Sequence, residues 1–418
     1  MQRLLDTVCS ILSGCVLFAV AYYFLVSLCG LWKRDEKIEF APCKRFAIVT
    51  PAHNEEGVIA LHVESVRRLD YPSHLYDVFV IADNCTDSTA QRAASAGAIV
   101  LRRHDERRKG KGYALQWGFD RVLSMPRRYD AVCVFDADNL VAPDFLRRMN
   151  DRLCRGERCI QGYADVKNPF DTWVTACYAV NFWIINRLTQ LPKHNLGLSA
   201  VLSGTGMCID ASLLRQFRWD TGCLTEDLEF TMKLVLAGIR VSWAHDAVIY
   251  DEKPLSFVES WKQRMRWVQG HWDVAGRYAI PLLLKGIAER SMTCIDAALH
   301  LLQPVFVMCA LVSGALRLFG AVALADVRWT FPPVFALNPV GLALAACQVL
   351  YPAVGMVLDR APWRAFAYYP LYAFFGLTWT PIVLLAFFKR RSREWFHTRH
   401  ARQIGMDAVL ARAGRRTL

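Results

Sequence analysis

Long apolar segments and segments of mixed composition alternate along the chain, which predicts a membrane protein with one sizeable globular domain. Four segments are apolar enough to cross a bilayer, at roughly 8–32, 297–323, 333–358 and 365–388. The first carries no charge, exceeds a signal-peptide core in length and precedes no small-residue cleavage site, so we interpret it as a retained anchor. About 260 residues lie between the first two apolar segments, enough for one α/β domain.

Inside that domain, short apolar runs alternate with helical patterns. The predicted strands lie at 46–50, 76–82, 98–101 and 131–135. Predicted helices at 58–69 and 91–96 separate the first three strands. This alternation is typical of a doubly wound parallel sheet, whose ligands bind at the carboxyl ends of the strands. Polar loops follow the first two strands, at 51–57 and 83–89, and we expect a nucleotide to bind there.

The composition agrees with membrane attachment, since 54% of the 418 residues are hydrophobic. The formal net charge of +12 is scattered, and several basic residues flank the apolar segments, as at Lys33-Arg34 and 389–391. Basic flanks mark the cytosolic side of a membrane. They explain the charge without a nucleic-acid partner, and they place the middle domain in the cytosol of a multi-pass protein of the cell membrane.

The same flanks leave the side of the C-terminus open. One span before the cytosolic domain and three after it would put the C-terminus outside, whereas the basic tail indicates the cytosol. Either one C-terminal segment is re-entrant or the tail breaks the rule. The proline-containing segments around Pro304 and Pro381 either surround a translocation path or are kinked anchors.

The fourteen cysteines are spread singly, with no C-x-x-C pair, and several fall in apolar segments. This spacing is not that of a zinc site. In a reducing cytosol we expect most of them to be small buried hydrophobic residues.

Two aspartates, Asp136 and Asp138, directly follow the fourth predicted strand. Two carboxylates this close at a strand end need a counter-charge, and a divalent cation with oxygen ligands supplies one. The pair therefore favours a Mg²⁺ or Mn²⁺ site that neutralises a diphosphate leaving group. The alternative is a pair of turn-forming aspartates, one of them capping the helix that begins near Pro143.

Two glycine-containing loops can bring a ligand close to the backbone. Residues 109–112 precede a predicted helix, where backbone amides and the Lys111 ammonium can approach a phosphate, although such a run is as often a solvated loop. Ser203, Gly204 and Thr205 form a small polar loop between two apolar stretches, which either admits a ligand or is an ordinary hairpin or bulge.

Acidic residues begin a predicted helix that extends from Thr225 to about Ala237. Thr225 is a candidate N-cap, so Glu226 and Asp227 complement the helix dipole. A carboxylate at the mouth of a cleft is also what a general base requires, and the two roles are compatible.

The segment Gln263-Arg264-Met265-Arg266-Trp267 lies about forty residues further on, ahead of the apolar C-terminal third. Taken alone, it is either part of an active site at the bilayer surface or a cationic and aromatic belt that anchors a helix at the headgroups.

The residues around Asp83, the pair Asp136 and Asp138, and the segments at 203–206, 225–227 and 263–267 occur in a familiar order and spacing. The chain in this respect resembles membrane-bound family 2 glycosyltransferases, the group that contains hyaluronan, chitin, cellulose and poly-N-acetylglucosamine synthases. The resemblance covers roughly residues 44–275. It implies a GT-A-type doubly wound mixed sheet in a cytosolic domain and a nucleotide-sugar donor, most often a UDP-sugar.

The resemblance also implies roles for single residues. Asp227, beside Glu226, would be the base that deprotonates the acceptor hydroxyl, and Asp138 with Asp136 would bind Mg²⁺ or Mn²⁺. Asp83 would contact the uracil. The donor site would comprise Glu55, Asp83, Lys111, Asp136, Asp138, Gln263, Arg266 and Trp267. The acceptor site would comprise Ser203, Gly204, Thr205 and Trp267.

The chain departs from the family pattern in two respects. Four spans are fewer than the large synthases have, so an export channel would need a second copy or another protein. Asn84 follows Asp83 where a second aspartate is commoner, so only Asp83 is carried over.

Our hypothesis is an inverting, metal-dependent transferase that extends a polysaccharide at the cytosolic membrane face. One alternative is a single transfer to a lipid or lipid-linked acceptor. Another is a catalytically silent membrane subunit that binds a glycan or a nucleotide sugar.

The chain divides accordingly into five predicted parts. They are an N-terminal anchor at 1–40, a catalytic domain at 41–255, interfacial helices at 256–295, a transmembrane region at 296–390 and a basic tail at 391–418. Residues 173–191, apolar with interspersed polar residues, are a further interfacial helix or a core helix.

Overall fold

The computed structural model describes residues 2–34, 36–220, 223–323, 339–390 and 403–414. The beginning of the third predicted span, at 333–338, lies outside these residues. So does most of the predicted basic tail.

In the described part of the chain, eight strands form one mixed sheet in the order β3-β2-β1-β4-β7-β6-β8-β5. The strands are β1 Phe46–Ala52, β2 Tyr76–Asp83, β3 Ile99–Arg103, β4 Ala131–Val134, β5 Leu140–Val141, β6 Cys159–Val166, β7 Met207–Asp210 and β8 Ser242–Asp251. The first four strands are parallel, as predicted. Beyond them the sheet is mixed, as the resemblance implied, because β7 runs antiparallel to β4 and β6. An apolar run indicates a buried strand but not its direction.

The helices of the catalytic domain cover both faces of this sheet. They are α2 Ile59–Arg67, α3 Thr89–Ser95, α4 Lys111–Leu123, α5 Phe145–Cys154, α6 Trp173–Ile185, α7 Leu191–Asn195, α8 Ala211–Phe217 and α9 Glu226–Leu236. Successive residues of β1 point to opposite faces: Ala47 and Val49 join one hydrophobic cluster, and Phe46 and Ile48 join the other. Burial on both faces explains why the parallel strands are continuous apolar runs rather than alternating ones.

Helix α6 lies in the core rather than at a membrane surface. It contacts β6 on one side and a C-terminal helix on the other, and Val180 and Trp183 are fully buried. It continues as a π-helical turn, Asn186–Gln190, into α7. For residues 173–191 the core alternative therefore describes the structure, because the C-terminal helices cover the face that the apolar sequence would otherwise present to lipid.

The remaining helices of the described residues lie before the first strand or after the last one. They are α1 Gln2–Leu28, α10 Phe257–Ala288, α11 Met292–Leu301, α12 Gln303–Ala323, α13 Pro339–Leu358, α14 Arg364–Leu377, α15 Trp379–Phe388 and α16 Met406–Gly414. Helix α16 packs on the catalytic domain, where Met406 and Val409 are buried against Leu140 and Tyr250.

The described residues contain fewer candidate spans than the four predicted. Two helical stretches are long and apolar enough to cross a bilayer, Leu5–Leu28 and Arg364–Phe388. A third arises only if the helices Met292–Leu301 and Gln303–Arg317, bent by 51°, count as one. Pro304 lies at this bend, and proline has no N–H to continue the helical hydrogen bonds.

A buried ion pair joins α1 and α11 to the catalytic domain. Lys193 Nζ lies 2.9 Å from Asp296 Oδ2, and both side chains are 1% exposed. Tyr22 on α1 donates a hydrogen bond of 3.0 Å to the other oxygen of Asp296. Three segments far apart in sequence therefore meet at one carboxylate.

Replacing Lys193 with Met should lower the free energy of unfolding by about 3–5 kcal/mol, because Asp296 would stay buried without its counter-charge. The double variant Lys193→Met/Asp296→Leu should recover most of this loss. The exposed pair Arg68–Asp407 provides the control, since Arg68→Ala should cost no more than about 1 kcal/mol. Thermal unfolding of the purified protein in detergent measures all three, and equal midpoints for Lys193→Met and Arg68→Ala would contradict the prediction.

Candidate active site

Lys111 joins the loops that carry most of the predicted site. Its ammonium bonds the Asp136 carboxylate and donates a 2.8 Å hydrogen bond to the carbonyl oxygen of Gly204. Lys111 is also the first residue of α4, so the N-terminus of this helix lies beside the same contact. The predicted phosphate loop, the aspartate pair and the 203–206 loop are therefore in direct contact.

Gly204 allows the base candidate to approach this point. A Cβ atom at residue 204 would lie 3.1 Å from Asp227 Oδ2 and 3.3 Å from Lys111 Nζ, and the residue has a φ of +80°. A larger residue would be strained at this φ and would crowd both groups. The glycine thus keeps the carboxylate and the ammonium close together.

The two aspartates of the pair face different surroundings. Asp136 is partly exposed toward Lys111, whereas Asp138 is buried and accepts a 3.1 Å bond from the N–H of Glu252. Asn139 donates 3.2 Å to the other Asp138 oxygen. The backbone turn that carries both aspartates is therefore fixed before any ligand binds.

Thr205 supports this turn from below. Its hydroxyl donates to Asn139 Oδ1 and accepts 3.1 Å from the N–H of Asp136, and the side chain is 4% exposed. Buried and engaged in this way, the Thr205 side chain positions the aspartate pair rather than facing the open cleft.

The aspartate pair fits a divalent cation that a diphosphate helps to bind. Among the residues that the structure describes, no three His, Cys, Asp or Glu side chains converge as metal ligands. Mg²⁺ in nucleotide enzymes is commonly held by one or two carboxylates and the phosphates of the substrate. Asp136 and Asp138 offer hard oxygen donors of this kind at one turn. The donor set thus matches Mg²⁺ or Mn²⁺ chemistry.

Glu226 and Asp227 begin α9 beside Lys111. Thr225 occupies the N-cap position, as predicted, but its side chain makes no capping bond. Asp227 Oδ1 instead accepts a 2.8 Å bond from the N–H of Leu228, so the carboxylate itself serves the helix start. Asp227 therefore bonds the start of its own helix with one oxygen, while its other oxygen lies near Gly204.

Burial and mutual repulsion shift the titration of these carboxyls. Burial, and then the charge of Asp227, raise the pKa of Glu226 to about 7 against the opposing effect of Lys111 and Arg266. Burial also raises the pKa of Asp227, against the N–H of Leu228 and the same two cations. Burial would lower the pKa of Lys111, but Asp136 and then the two carboxyls raise it above its usual value.

The segment at 263–267 lies on α10 and reaches the same place. Arg266 is close enough to both Glu226 and Asp227 to lower their pKa values. Gln263 Oε1 accepts a 3.0 Å bond from the Tyr178 hydroxyl. Trp267 packs edge-on against the Tyr178 ring at 6.3 Å and is partly buried. The segment is therefore attached to the catalytic domain rather than only to a membrane surface.

A second glycine sets the distance between α10 and α9. A Cβ atom at Gly270 would lie 2.5 Å from the hydroxyl oxygen of Thr225. Sequence reasoning missed Gly270, because a glycine inside a helical pattern shows nothing of a neighbour 45 residues earlier. Tyr178, which lies inside an apolar helix, was missed for the same reason.

Asp83 and Glu55 lie at the other end of the site, where β1 and β2 end. Arg103 Nη1 donates a 2.5 Å bond to Asp83 Oδ1, and both side chains are buried. Burial raises the pKa of Asp83 above its usual value, and the nearby Arg103 only partly offsets this increase. Glu55 is held at the loop by its N–H, which donates 2.8 Å to Thr89 Oγ1.

Arg103 is a further residue that sequence reasoning missed. The signal was available, since Asp83 and Arg103 end neighbouring parallel strands and stand side by side in register. The pair gives the Asp83 carboxylate a fixed orientation.

Residues 42–270, more than half of the chain, match the family described as glycosyltransferase like family 2. The chain belongs to this family. Its mixed sheet is of the GT-A-like kind.

Three relatives show the range of this similarity. The chain is 28% identical over 249 residues to the β-monoglucosyldiacylglycerol synthase of Nostoc sp., covering 54% of this chain and 50% of that enzyme. It is 24% identical over 365 residues to an N-acetylglucosaminyltransferase of Rhizobium meliloti, covering 81% and 80%. It is 25% identical over 250 residues to the poly-β-1,6-N-acetyl-D-glucosamine synthase of Staphylococcus epidermidis, covering 57% of each. The chain thus spans about half the length of the first and third of these relatives.

A mannosyltransferase from Pyrobaculum calidifontis, solved with GDP-Man and Mn²⁺, has a similar fold. The TM-score is 0.58 at 17% identity, covering 93% of this chain and all of that one. At this identity the likeness establishes the fold alone.

The raised pKa values of Glu226 and Asp227 predict an unusual pH dependence of transfer. A base acts only when deprotonated and burial raises the pKa of Asp227, so kcat/KM should rise with pH around a midpoint above the ordinary carboxyl value of about 4. Glu226→Gln removes a neighbouring group whose charge raises the pKa of Asp227, and should move the midpoint to lower pH. Initial rates across about pH 3 to 9 measure both, and a wild-type midpoint near 4 would show that the carboxyls do not titrate as described.

Proposed function

We propose that this glycosyltransferase moves a sugar from a UDP-sugar to a growing polysaccharide at the cytosolic face of a membrane. The observation that carries the proposal is the contact of Lys111 with Asp136 and Gly204 beside Asp227. A phosphate-binding cation, a pair of oxygen ligands for a metal and a candidate base meet at this point.

The proposed reaction is a single displacement with inversion. Asp227 accepts the proton of an acceptor hydroxyl, whose oxygen forms a bond to the anomeric carbon as the bond to the UDP oxygen breaks. Lys111 and Arg266 stabilise the negative charge that develops on the departing diphosphate. Below about pH 7 the raised pKa keeps Glu226 largely protonated, so it then adds little negative charge beside Asp227.

Asp136 and Asp138 would hold Mg²⁺ or Mn²⁺ with the diphosphate, and the bound ion would stabilise the leaving group as a Lewis acid. Asp83 and Glu55 would lie at the nucleoside end. Ser203 and Gly204 would line the acceptor side, where Gln263 and Trp267 also stand. Thr205 is proposed here as a support of the aspartate turn and not as an acceptor ligand.

The second candidate is a single transfer to a lipid acceptor. The relative from Nostoc, whose name describes a lipid product, supports it. Its identity to this chain is 28%, against 25% for the polysaccharide synthase of Staphylococcus epidermidis. The helix that carries Trp267 also presents exposed apolar residues further along one face, at Ile280, Leu284 and Ile287. A face of this kind suits a bilayer surface and gives a lipid acceptor a short path to the site.

We further propose three crossings rather than four. The bent pair α11–α12 runs antiparallel to α1, because Tyr22 bonds Asp296 of α11 and Ser13, earlier in α1, lies 3.0 Å from Ser313 of α12. It therefore leads away from the catalytic domain that α1 enters. Helix α13 returns, since Asp359 just after it bonds both His245 and Tyr163 of the sheet.

The stretch α14–α15 then stays at the catalytic domain. Tyr372 bonds Asn181 of α6 at 3.1 Å, and further along, Trp272 and Gln269 of α10 donate to the carbonyls of Val383 and Lys389. This apolar stretch thus contacts α6 and α10 of the catalytic side, while α15 also packs on α12. Helix α16 packs on the catalytic domain after it. Three crossings keep the C-terminus in the cytosol, as the basic tail predicts. An export channel would then require a second copy or a partner protein.

Product analysis tests the proposed reaction. Purified protein supplied with Mg²⁺, Mn²⁺ and a panel of labelled UDP-sugars and GDP-mannose should release UDP from one donor and form a ladder of polymer lengths. Asp227→Asn should lower this release at least about 100-fold yet retain UDP binding, because only the base is lost. The matched control is Asp120→Asn, whose carboxylate lies on an exposed pair with Arg218.

Each other outcome selects a different function. Discrete single-sugar lipid adducts would replace the polymer proposal with the lipid acceptor. Donor binding without turnover in the wild type would indicate the catalytically silent subunit. Full activity in Asp227→Asn would refute the base assignment.

Reporter fusions to the full chain test the three crossings. A fluorescent protein at the C-terminus should fluoresce in a bacterial host and alkaline phosphatase there should be inactive, because both would lie in the cytosol. The reverse result would mean that α14–α15 crosses the bilayer.

A further inference from the structure

Arg264, inside the segment at 263–267, is a fully buried cation. Its guanidinium carbon lies 4.2 Å from the ring centre of Phe375, 5.2 Å from that of Trp379 and 5.6 Å from that of Phe257. None of its surface is exposed. Aromatic faces attract a cation, and desolvation strengthens that attraction.

Two hydrogen bonds fix the orientation of this side chain. Nη1 donates to the Thr378 hydroxyl at 2.6 Å, and Nε donates to the carbonyl of Ser260 at 3.4 Å. Thr378 is the single residue between α14 and α15, and its hydroxyl in turn donates 2.6 Å to the carbonyl of Phe375. Arg264 therefore ties α10 to the junction of α14 and α15.

The same contacts extend to the residues proposed to face the acceptor. The hydroxyl of Ser260 donates 3.1 Å to that of Tyr178, which donates to Gln263 Oε1. Because the Gln263 oxygen is engaged, its amide N–H groups remain to donate to a ligand. The Phe375 ring packs on Tyr178 at 5.5 Å, as Trp267 does from another side.

We propose that Arg264 is a positioning residue, which sets Gln263, Arg266 and Trp267 against Asp227 by clamping α10 to the α14–α15 junction. The inference rests on the proposed function, because it assigns a purpose to the placement of acceptor-side residues. A buried charge is costly unless it is well paired, so an apolar residue would serve better if packing alone were required.

Arginine suits this place better than lysine. Its planar group stacks on an aromatic ring and donates in fixed directions at once, whereas an ammonium on a flexible stem does neither. The clamp therefore depends on shape as well as charge. Thr378→Val, which keeps the volume and removes the acceptor oxygen, weakens it with little change in packing.

Steady-state kinetics on the purified full chain test the clamp with Arg264→Met, Arg264→Lys and Thr378→Val. A misplacement of about 1 Å in reacting groups lowers rates on the order of 100-fold, so kcat should fall about 10- to 100-fold in Arg264→Met. The fall should be smaller in Thr378→Val. The donor KM should change much less than kcat, because Lys111 and Asp83 also hold the donor and Arg266 acts chiefly on charge that develops in the transition state.

Arg364→Met is the matched control, since Arg364 stacks on Phe170 at 5.3 Å near the other end of α14. It should leave kcat and KM unchanged. Wild-type kcat in Arg264→Met or Arg264→Lys would overturn the proposal. The proposal would also be overturned if kcat fell only in proportion to the loss of folded protein, as measured by the thermal unfolding midpoint. If Arg264→Met does not fold, an unchanged kcat in Thr378→Val overturns it.

These outcomes are separate from those of the proposed function. A wild-type protein that transfers no sugar from any donor defeats the function itself. A wild-type protein that transfers sugar while the clamp variants equal it defeats only the role of Arg264.

Discussion

The ammonium of Lys111, held between the Asp136 carboxylate and the Gly204 carbonyl, is the contact on which the arrangement of the site depends. It brings together loops that follow β3, follow β4 and precede β7, and each alone is an ordinary loop. Without this cation, Asp227 would add a further negative charge beside Asp136 and Glu226 in a partly buried site. The cation compensates for that charge, and so allows Glu226 and Asp227 to stand where burial raises their pKa values.

The supports of this contact are mostly buried polar groups. Thr205 and Asn139 hold the aspartate turn, Arg103 orients Asp83, and the backbone of Glu252 holds Asp138. Such networks are rigid only when their members are paired, and here the sheet supplies the partners from neighbouring strand ends. The aspartate turn and the loops beside it are therefore held in place by contacts within the protein itself.

The apolar helices and the candidate active site share structural elements in this chain. Helix α10 meets the start of α9 at Gly270 and meets α14–α15 at Arg264, so one helix contacts both the base candidate and the apolar C-terminal region. The Lys193–Asp296 pair joins α1 and α11 to the catalytic domain in the same way. Helix α10 therefore connects the α14–α15 junction to the segment that carries the proposed acceptor-side residues.

The sequence by itself determined the strands β1 to β4, the polar loops at their ends and the order of the carboxylates, because these follow from local apolar runs and spacing. It did not reveal the antiparallel β7 or the core position of α6, since an apolar run has the same composition whether it packs against protein or against lipid. Nor did it reveal the burial of Arg264 or the support role of Thr205. Lys111 and Gly204 are 93 residues apart, and Arg264 and Thr378 are 114 apart. Only the tertiary structure decides such contacts. Burial and pairing depend on which distant segments pack together, and residue spacing along the chain does not reveal this.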